Sequence, residues 1–366
     1  MNKLKYWTIF LLVLAISACT HLPRPVESIG KSSEYLDWNK NPPNAQDRAR
    51  HLIAGKRPFE WWYFDGHLDT GETFVGVFLD PNFESGKPGI TFSLYSPDWK
   101  KSSVLKSFQA GEMQSSTEDV NITCPLGFVR RIDDKTYHVQ WNVDGTTADF
   151  KLTSTAPGWM PAGKDGVNGD HRDFFWNVHQ ARNRIEGTIT RDGQTRKVKG
   201  VGYADHNWGR RPFNEITRHW VWGRIFSDEY TIIFADVDYI DPSIKSRPLY
   251  IARGDAMIVG AGSPTIRQWD FVTHPVLKRH YPTKVSIDFA GGEVQAHLNI
   301  RFKYLAEDVD LLTVADLNPF SRWIASTFIA RPTYFRIIAN YKGDIIEQGK
   351  VTSIEGECLY EIMGFE

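Results

Sequence analysis

The sequence predicts an all-β protein, built as a barrel or a sandwich of antiparallel strands. Short runs of apolar and aromatic residues recur from Trp61 almost to the C-terminus, and turn-forming residues separate them. Asp192-Gly193, which stands between two such runs, is a strong hairpin signal. The run at 137–143 alternates apolar and polar residues, as half-buried strands do. Many short strands at regular spacing are typical of barrels and sandwiches.

Turns separate the predicted strands throughout the chain. In order, the strands are residues 61–68, 73–79, 89–95, 137–143, 185–190, 196–203, 220–226, 230–237, 283–289, 294–302 and 334–338. One segment differs from these. Residues 320–330, which follow Asn318-Pro319, are predicted to form a short helix because proline is favoured in the first turn of helices.

The first residues have the features of an export signal. Lys3 and Lys5 precede an apolar run that is too short to span a membrane as a helix. The run closes with Ile16-Ser17-Ala18-Cys19, which has the spacing of a bacterial lipobox. We expect residues 1–18 to be a signal peptide and Cys19 to carry acyl chains as the first residue of the mature chain. The alternative is a plain secretory signal that ends near a cysteine.

The predicted anchor sets the expected location. Several acyl chains on one residue hold a protein durably on a membrane. Thr20 follows the cysteine, in place of the aspartate that retains lipoproteins at the inner membrane. We therefore expect a lipoprotein of the bacterial cell envelope, anchored to the outer membrane and facing the periplasm. Residues 19–55, rich in proline, serine, asparagine and charge, are predicted to be a tether, with Trp38 docking on the body.

A weak internal repeat divides the body of the chain into two halves. Trp61-Trp62-Tyr63, a turn and an apolar strand are echoed by Trp220-Val221-Trp222, a turn and an apolar strand. Each copy has the pattern of an opening hairpin for its own barrel. We predict an N-terminal domain at residues 56–212 and a C-terminal domain at residues 213–366.

Composition argues against several function classes. Lys and Arg total 43 against 44 Asp and Glu, and the two signs are interspersed, so we expect no nucleic-acid partner. We expect Cys124 and Cys358 to be separate buried thiols rather than a disulfide, because no disulfide framework is visible. The sequence has no G-x-S-x-G motif, no complete dinucleotide loop and no metal-binding histidine pair, so we expect no cofactor and no metal.

Two motifs differ from the ordinary strands. EWWYFDGHL at residues 60–68 and GVGYADHNWG at residues 200–209 lie in this order, about 140 residues apart. Together they resemble the hydroxyneurosporene synthase (carotenoid 1,2-hydratase) family and its AttH-like relatives, from about Phe59 to the C-terminus. The resemblance implies two lipocalin-like (calycin-type) antiparallel β-barrels packed side by side, and an apolar ligand. It implies addition of water to an isoprenoid double bond for some members, and cyclisation of polyketide-derived chains for others.

The chemistry of alkene hydration predicts the residue types that an active site for it should contain. The reaction needs a proton donor able to form a carbocation and a base that handles water, and a carboxylic acid kept protonated by an apolar wall can be the donor. Asp205 and His206 in the second motif supply these residue types. Asp236 and Asp238 lie on a largely apolar strand, where alternation puts both on the same face. These four residues are the catalytic candidates.

Aromatic residues near these acids are candidates for ligand binding, because aromatic faces pack on apolar molecules and stabilise cations. The candidate ligand-binding residues are Trp61, Tyr63, Asp65, Tyr203, Trp208 and Trp222. Structural roles are the alternative. Asp205, His206 and Asn207 would also suit a turn. The paired tryptophans would also suit a barrel floor, with one side chain inside and Trp62 packing between the barrels.

Three functions are compatible with these residues. The first is a membrane-anchored periplasmic protein that binds an apolar ligand such as a lipid or an isoprenoid. The second is a hydro-lyase of the carotenoid 1,2-hydratase type, or a related hydratase, cyclase or secreted hydrolase, acting on such a ligand through Asp205 and His206. The third is a non-catalytic partner of an envelope transport complex. The carotenoid enzymes work at the cytoplasmic side of the inner membrane, so the predicted anchor argues against a carotenoid substrate.

Overall fold

A computed structural model describes most of the body of the chain. The described residues are 26–29, 43–53, 55, 57–81, 86–97, 101–161, 174–241, 245–310 and 332–365. The predicted signal peptide, Cys19, Trp38 and the predicted helix at 320–330 lie outside them. Within the described ranges, no helix has both the length and the apolar character needed to cross a membrane.

Strands make up almost all of the regular structure. A short strand, β1 (Val26–Ile29), and a one-turn helix, α1 (Ala45–Arg48), precede the first sheet. That sheet contains β2 (Phe59–Leu68), β3 (Thr73–Leu79), β4 (Gly89–Tyr95), β5 (Lys101–Ser107), β6 (Gln114–Ser115), β7 (Asn121–Cys124), β8 (Gly127–Arg131), β9 (Thr136–Val143), β10 (Thr146–Ser154), β11 (Phe174–Arg191) and β12 (Gln194–Gly209).

The second sheet follows a 3-10 turn at Phe213–Glu215. Its strands are β13 (Thr217–Phe226), β14 (Tyr230–Tyr239), β15 (Lys245–Ser246), β16 (Leu249–Arg253), β17 (Ala256–Gly262), β18 (Thr265–Thr273), β19 (His280–Gly291), β20 (Val294–Asp310), β21 (Thr333–Glu347) and β22 (Lys350–Gly364). β1 joins this sheet by pairing with β18. Every predicted strand lies within an observed one, although several observed strands are much longer.

Both sheets have the same topology. Most neighbouring strands along the chain pair antiparallel, the exceptions being β5 with β6, β15 with β16 and β17 with β18. In each sheet the first long strand then pairs with the last: β2 with β12, and β13 with β22. This order is that of an up-and-down barrel. The predicted architecture of two lipocalin-like antiparallel barrels is therefore confirmed, and β2–β3 and β13–β14 are their opening hairpins. The domain boundary near residue 212 stays a prediction.

Side-chain alternation along β2 separates two buried regions. Trp62 and Phe64 point into the first barrel and belong to a core that includes Trp141. Trp61 and Tyr63 point the other way and pack against a cluster of residues from both sheets. The expectation that Trp62 packs between the barrels was thus wrong, because the register of β2 puts Trp61 there. Gly76 lies under Trp141, and a Cβ atom at Gly76 would come within 2.2 Å of the indole ring.

The two body cysteines lie far apart in the fold. Cys124 belongs to the core of the first barrel and Cys358 to the core of the second. Both are buried free thiols, as the sequence indicated.

Parts of the predicted tether contact the barrels. Asn44 caps α1, accepting a hydrogen bond from the backbone of Asp47 at 3.1 Å. Arg48 forms an ion pair with Asp119 of the first barrel. The polar composition of this segment precludes independent folding, but docking on a finished sheet gives its few apolar and charged groups partners. The segment at 43–53 is therefore held on the first barrel.

His179 on β11 is a titratable group buried inside the first barrel. Its ring centroid lies 5.0 Å from that of Tyr137 and 6.0 Å from that of Phe64. Burial is the main reason why the pKa of His179 lies well below its usual value, and the nearby His206 and Arg48 lower it further. The folded protein therefore holds this ring in its neutral form.

We expect His179→Leu to make the protein less sensitive to acid. The unfolded chain protonates this histidine below about pH 6.5 whereas the folded protein does not, so the free energy of unfolding falls as the pH falls. One such group contributes a slope of up to about 1.4 kcal/mol per pH unit. Urea unfolding at pH 7, 6 and 5 should show a slope shallower by up to this amount in the variant, with a larger difference between pH 6 and 5 than between pH 7 and 6. Tyr137→Phe, which alters the same packing without a group that titrates there, should keep the wild-type slope. Equal slopes in wild type and His179→Leu would contradict the expectation.

Candidate functional site

A cavity of about 330 Å³ lies between the two barrels rather than inside either of them. Its volume is at the lower end of the range for small-molecule sites. The first sheet contributes outward-facing residues of β2 to β5, β11 and β12, and the second contributes residues of β13, β14, β21 and β22. The apolar residues of the lining are Trp61, Val75, Val77, Leu79, Leu105, Phe174, Trp176, Trp220, Trp222, Ala235, Val237, Met363 and Phe365.

Polar groups occupy few positions on this wall. They are Tyr63, Thr91, Asp205, Asn207, Tyr334 and Glu361. Two of them, Asp205 and Glu361, are carboxylic acids, and they come from opposite sheets. An apolar cavity with a few polar groups is the usual composition of a site for an apolar ligand.

Asp205 is held by three hydrogen bonds on the outer face of β12. Its Oδ2 atom accepts bonds from the Tyr203 hydroxyl at 2.8 Å and from Trp176 Nε1 at 3.0 Å, and its Oδ1 atom accepts one from Asn207 Nδ2 at 2.7 Å. These donors favour the ionised carboxylate. Burial opposes them and dominates, so the pKa of Asp205 rises to about 7. Near neutral pH this side chain therefore populates both protonation states.

Glu361 lies across the cavity on β22. It forms an ion pair with Arg336, a fully buried residue on β21. The Tyr63 hydroxyl lies 3.2 Å from Glu361 Oε1 and accepts a hydrogen bond from Arg336 at 2.8 Å. Burial raises the pKa of Glu361, whereas Arg336 opposes the rise.

Behind the cavity wall, a buried ion network joins the two barrels. Asp65 on β2 accepts hydrogen bonds from Arg224 Nη2 on β13 at 2.7 Å and from Arg336 Nη2 at 3.0 Å. The Tyr63 hydroxyl lies 3.0 Å from the same carboxylate. Asp65 and Arg336 are fully buried. Asp65 thus holds two arginines of the second sheet rather than contacting the cavity.

A second polar cluster lies on the other face of β12. His206 Nε2 lies 2.8 Å from Glu60 Oε1, and His51 Nδ1 lies 2.9 Å from the same oxygen. Burial raises the pKa of Glu60 to about 7 and lowers that of His206 to about 3. The His206 ring stacks on Trp62 with a centroid distance of 4.4 Å. This cluster lies at one end of the first barrel and does not line the cavity.

Sequence comparison assigns the chain to a family. The profile of a family described as a domain of unknown function, DUF7064, matches residues 44–258. The chain belongs to this DUF7064 family. The matched residues include both motifs, the cavity residues of the first sheet and the polar cluster of His206. A comparison with curated protein sequences gave no significant match.

Structural comparison shows that this member of the DUF7064 family shares its fold with three solved proteins. An AttH-type protein from Nitrosomonas europaea is 17% identical with a TM-score of 0.61, over 90% of this chain and 98% of that one. CghA, solved with Sch210972, is 11% identical with a TM-score of 0.63, over 94% and 99%. Kievitone hydratase from Nectria haematococca is 12% identical with a TM-score of 0.55, over 94% and 97%. At these identities the likeness shows the fold alone. The predicted AttH-like and hydratase-like fold is confirmed, and the closer resemblance to hydroxyneurosporene synthase stays a hypothesis.

The structure brings some of the predicted ligand-binding residues together at the cavity. Trp61, Tyr63 and Trp222 line it. Tyr203 lies outside the lining, and its hydroxyl donates a hydrogen bond to Asp205. Trp208 lies outside the lining, where its ring stacks on His51 and Phe175 with centroid distances of 3.8 and 5.1 Å.

The four catalytic candidates are not brought together. Asp205 and His206 are neighbours in an unbroken strand, not in a turn, so their side chains point to opposite faces. Asp236 is buried inside the second barrel, where it pairs with Arg247 and accepts a hydrogen bond from Gln268 at 2.8 Å. Asp238 follows on the same face of β14 but is exposed. Of the four, Asp205 is the residue that lines the cavity.

Sequence reasoning missed several residues of these sites. Arg336 lies in the predicted strand at 334–338 but was not named as a site residue, although a charge in an apolar strand indicates a buried partner. Glu361 lies in a strand that was not predicted. Trp176 lies in the first half of β11, which was not predicted as a strand. His51 lies in the segment taken as a tether, and it meets His206 only after the chain has formed a barrel. For His51 the sequence offered no signal.

Proposed function

We propose that the protein binds an apolar molecule in the cavity between its barrels and that Asp205 transfers a proton to or from that molecule. The observation that carries this proposal is the position of Asp205. Its carboxyl group stands on a wall of aromatic and aliphatic side chains, and three hydrogen-bond donors fix its orientation. A general acid or base needs such a fixed position within reach of the reacting atom.

The cavity composition supports the ligand class. Aromatic rings from both sheets, Trp61 and Trp222 among them, face the space, and they offer large flat surfaces to an isoprenoid, a polyketide-derived chain or a lipid. The same rings would stabilise a carbocation through their faces. The compact volume favours a small molecule or one segment of a longer one.

Hydration of a double bond is the reaction that best uses these groups. The proton of Asp205 adds to one alkene carbon, and a water oxygen bonds to the carbon left positive. The surplus proton of that water then passes to a base, which is Glu361 from the opposite wall or the ionised Asp205. Return of a proton to Asp205 restores the starting state. Isomerisation and cyclisation begin with the same protonation and end in loss of a proton, so the site also fits these reactions.

The names of two structural neighbours are consistent with the proposed reaction. One is a hydratase of kievitone, and another was solved with the small molecule Sch210972. These names support a reaction or a binding event on an organic molecule, and the proposal for this chain depends on its own cavity.

We further propose that Cys19 carries acyl chains and holds the barrels at the bacterial envelope, on the periplasmic side of the outer membrane. This proposal comes from the lipobox spacing and from Thr20. A membrane position would place the cavity near the apolar molecules that it is proposed to bind.

Asp205→Asn tests the proposal directly. The ligand is first identified by native mass spectrometry of the protein purified from its own envelope, followed by extraction. Asparagine keeps the shape of the side chain but cannot supply the proton, so turnover should fall by about 10²–10⁴-fold. Ligand affinity, measured by titration calorimetry, should stay within about threefold of wild type. Asp238→Asn, an exposed change on the second sheet, is the control and should alter neither quantity.

The two quantities separate the outcomes. Turnover at the wild-type rate in Asp205→Asn would refute the role of Asp205. Binding without any chemical change of the ligand in the wild-type protein would mean that the cavity serves a carrier. If no apolar molecule co-purifies and none added is bound, the ligand-binding proposal itself is refuted.

A further inference from the structure

Three side chains that commonly bind metals meet at one end of the first barrel, away from the cavity. They are His51, Glu60 and His206, and their ligand atoms all lie within 4.8 Å of one another. Glu60 and His206 come from the paired strands β2 and β12, whereas His51 comes from the segment at 43–53. The side chains of Glu60 and His206 are fully buried, and that of His51 is 26% exposed.

The hydrogen bond on the far side of His206 sets the direction of its lone pair. Nδ1 lies 3.1 Å from the carbonyl oxygen of Asp47, which can only accept, so Nδ1 carries the proton of the neutral ring. Nε2 therefore has a lone pair, and it faces Glu60 Oε1 at 2.8 Å. At this distance the lone pair repels an ionised carboxylate oxygen, and the repulsion is relieved by either the proton of a neutral Glu60 or a metal ion between the two atoms. The same oxygen is 2.9 Å from His51 Nδ1.

Both imidazole rings are held in place by aromatic stacking. The His206 ring lies on Trp62 with an interplanar angle of 9°, and the His51 ring lies on Trp208 with an angle of 11°. The backbone N–H of His51 also donates to Glu60 Oε1 at 2.9 Å, which orients the carboxylate. The donor atoms are therefore positioned before any ligand arrives.

We propose that His51, Glu60 and His206 bind one divalent cation of the zinc class. Two imidazole nitrogens and one carboxylate oxygen are a donor set that suits Zn²⁺. The bond from His206 to the carbonyl oxygen of Asp47 is the outer contact that metal-binding histidines usually make. Tetrahedral bonds of about 2.0–2.1 Å separate ligand atoms by about 3.3 Å. The nitrogen–oxygen distances of 2.8 and 2.9 Å would thus open by a few tenths of an ångström.

The proposed cation would also have a structural role. It would join the segment at 43–53 to β2 and β12, where Glu60, His206 and the carbonyl oxygen of Asp47 already meet. The partly exposed edge of His51 is the side from which water would supply a fourth ligand. This inference does not depend on the proposed function, because Asp205 points to the opposite face of β12.

Metal binding to the full-length protein tests the inference. The protein is dialysed against a chelator and then titrated with ZnCl₂ in a calorimeter. We expect one Zn²⁺ per chain with a dissociation constant below about 1 μM, and a higher melting temperature with the metal. Co²⁺ added in place of Zn²⁺ should give the intense visible absorption of a tetrahedral site, a readout independent of stability and of activity.

Two conservative variants locate the site. His51→Phe keeps the stack on Trp208, and Glu60→Gln keeps an acceptor for the backbone of His51, but each removes one metal ligand. Both should weaken Zn²⁺ binding at least about 100-fold, in line with the loss of a ligand. His138→Gln removes a histidine that pairs with Asp149 at 2.8 Å on the same barrel and should bind Zn²⁺ as wild type does. Absence of stoichiometric binding to the wild-type protein, or undiminished binding by both ligand variants, would overturn the inference.

Discussion

Replacing Asp65 by alanine is expected to lower the free energy of unfolding by about 3–5 kcal/mol, because two buried arginines then lose their main counter-ion. Asp65 accepts hydrogen bonds from Arg224 and Arg336, and the Arg336 side chain has no exposed surface. After the change, Glu361 alone balances two positive charges in a region that excludes water. Urea denaturation followed by circular dichroism measures the loss.

Two further variants distinguish this cause from a general effect of substitution. Asp288→Ala breaks an exposed pair with Arg267 and should cost less than about 1 kcal/mol. Asp65→Ala combined with Arg224→Met removes one of the two arginine charges that lost their counter-ion, so it should recover part of the stability lost in the single variant. A loss below about 1 kcal/mol in Asp65→Ala would show that the network contributes little to the contact between the barrels.

Filling the cavity is expected to abolish ligand binding. Ala235 on β14 is a small residue of the cavity lining, and its side chain faces the space. In Ala235→Trp an indole ring would occupy volume that the ligand needs. We expect the affinity for the uncharged apolar dye N-phenyl-1-naphthylamine to fall at least 100-fold, which corresponds to about 2.7 kcal/mol. Fluorescence titration of the dye measures the change.

The opposite substitution is the matched control for this experiment. Val237→Ala, two residues along the same strand face, enlarges the cavity and should retain dye binding. The melting temperature of both variants is measured to confirm that they fold. If Ala235→Trp folds and still binds the dye within threefold of wild type, the dye occupies another site and the cavity between the barrels is not the binding site.

The sequence was a good guide to the strands and a poorer guide to their extent. Residues 61–68 and 230–237 were recognised because apolar and aromatic residues dominate them, and the strands are largely buried on both faces. β20 and β21 continue well beyond their predicted C-terminal ends. The added residues are largely polar, so their composition did not indicate strands, but their backbones still pair with neighbouring strands. Pairing along a long sheet is a tertiary property, and local composition does not encode it.

The site was predictable only in part. Alternation alone shows that Asp205 and His206 face opposite ways, but only if the segment is known to be a strand rather than a turn. Which face of β12 meets the cavity depends on how the second barrel packs, and Glu361 comes from that barrel. His51 and His206 are brought together by the docking of residues 43–53. Contacts of this kind depend on the whole fold, so neither motif contained them.

The pairing of first and last strands in each barrel has a consequence for how the chain is made. Glu60 and His206 are 146 residues apart, yet they meet across the pair of β2 and β12. During synthesis, β2 leaves the ribosome long before its closing partner exists. It can form a hairpin with β3 as soon as β3 has been made, but the backbone N–H and C=O groups of its other edge stay unpaired. Such a nascent edge attracts strands from other chains. Because β12 supplies the partner for this edge, the edge of β2 remains unpaired until residue 209 has been added.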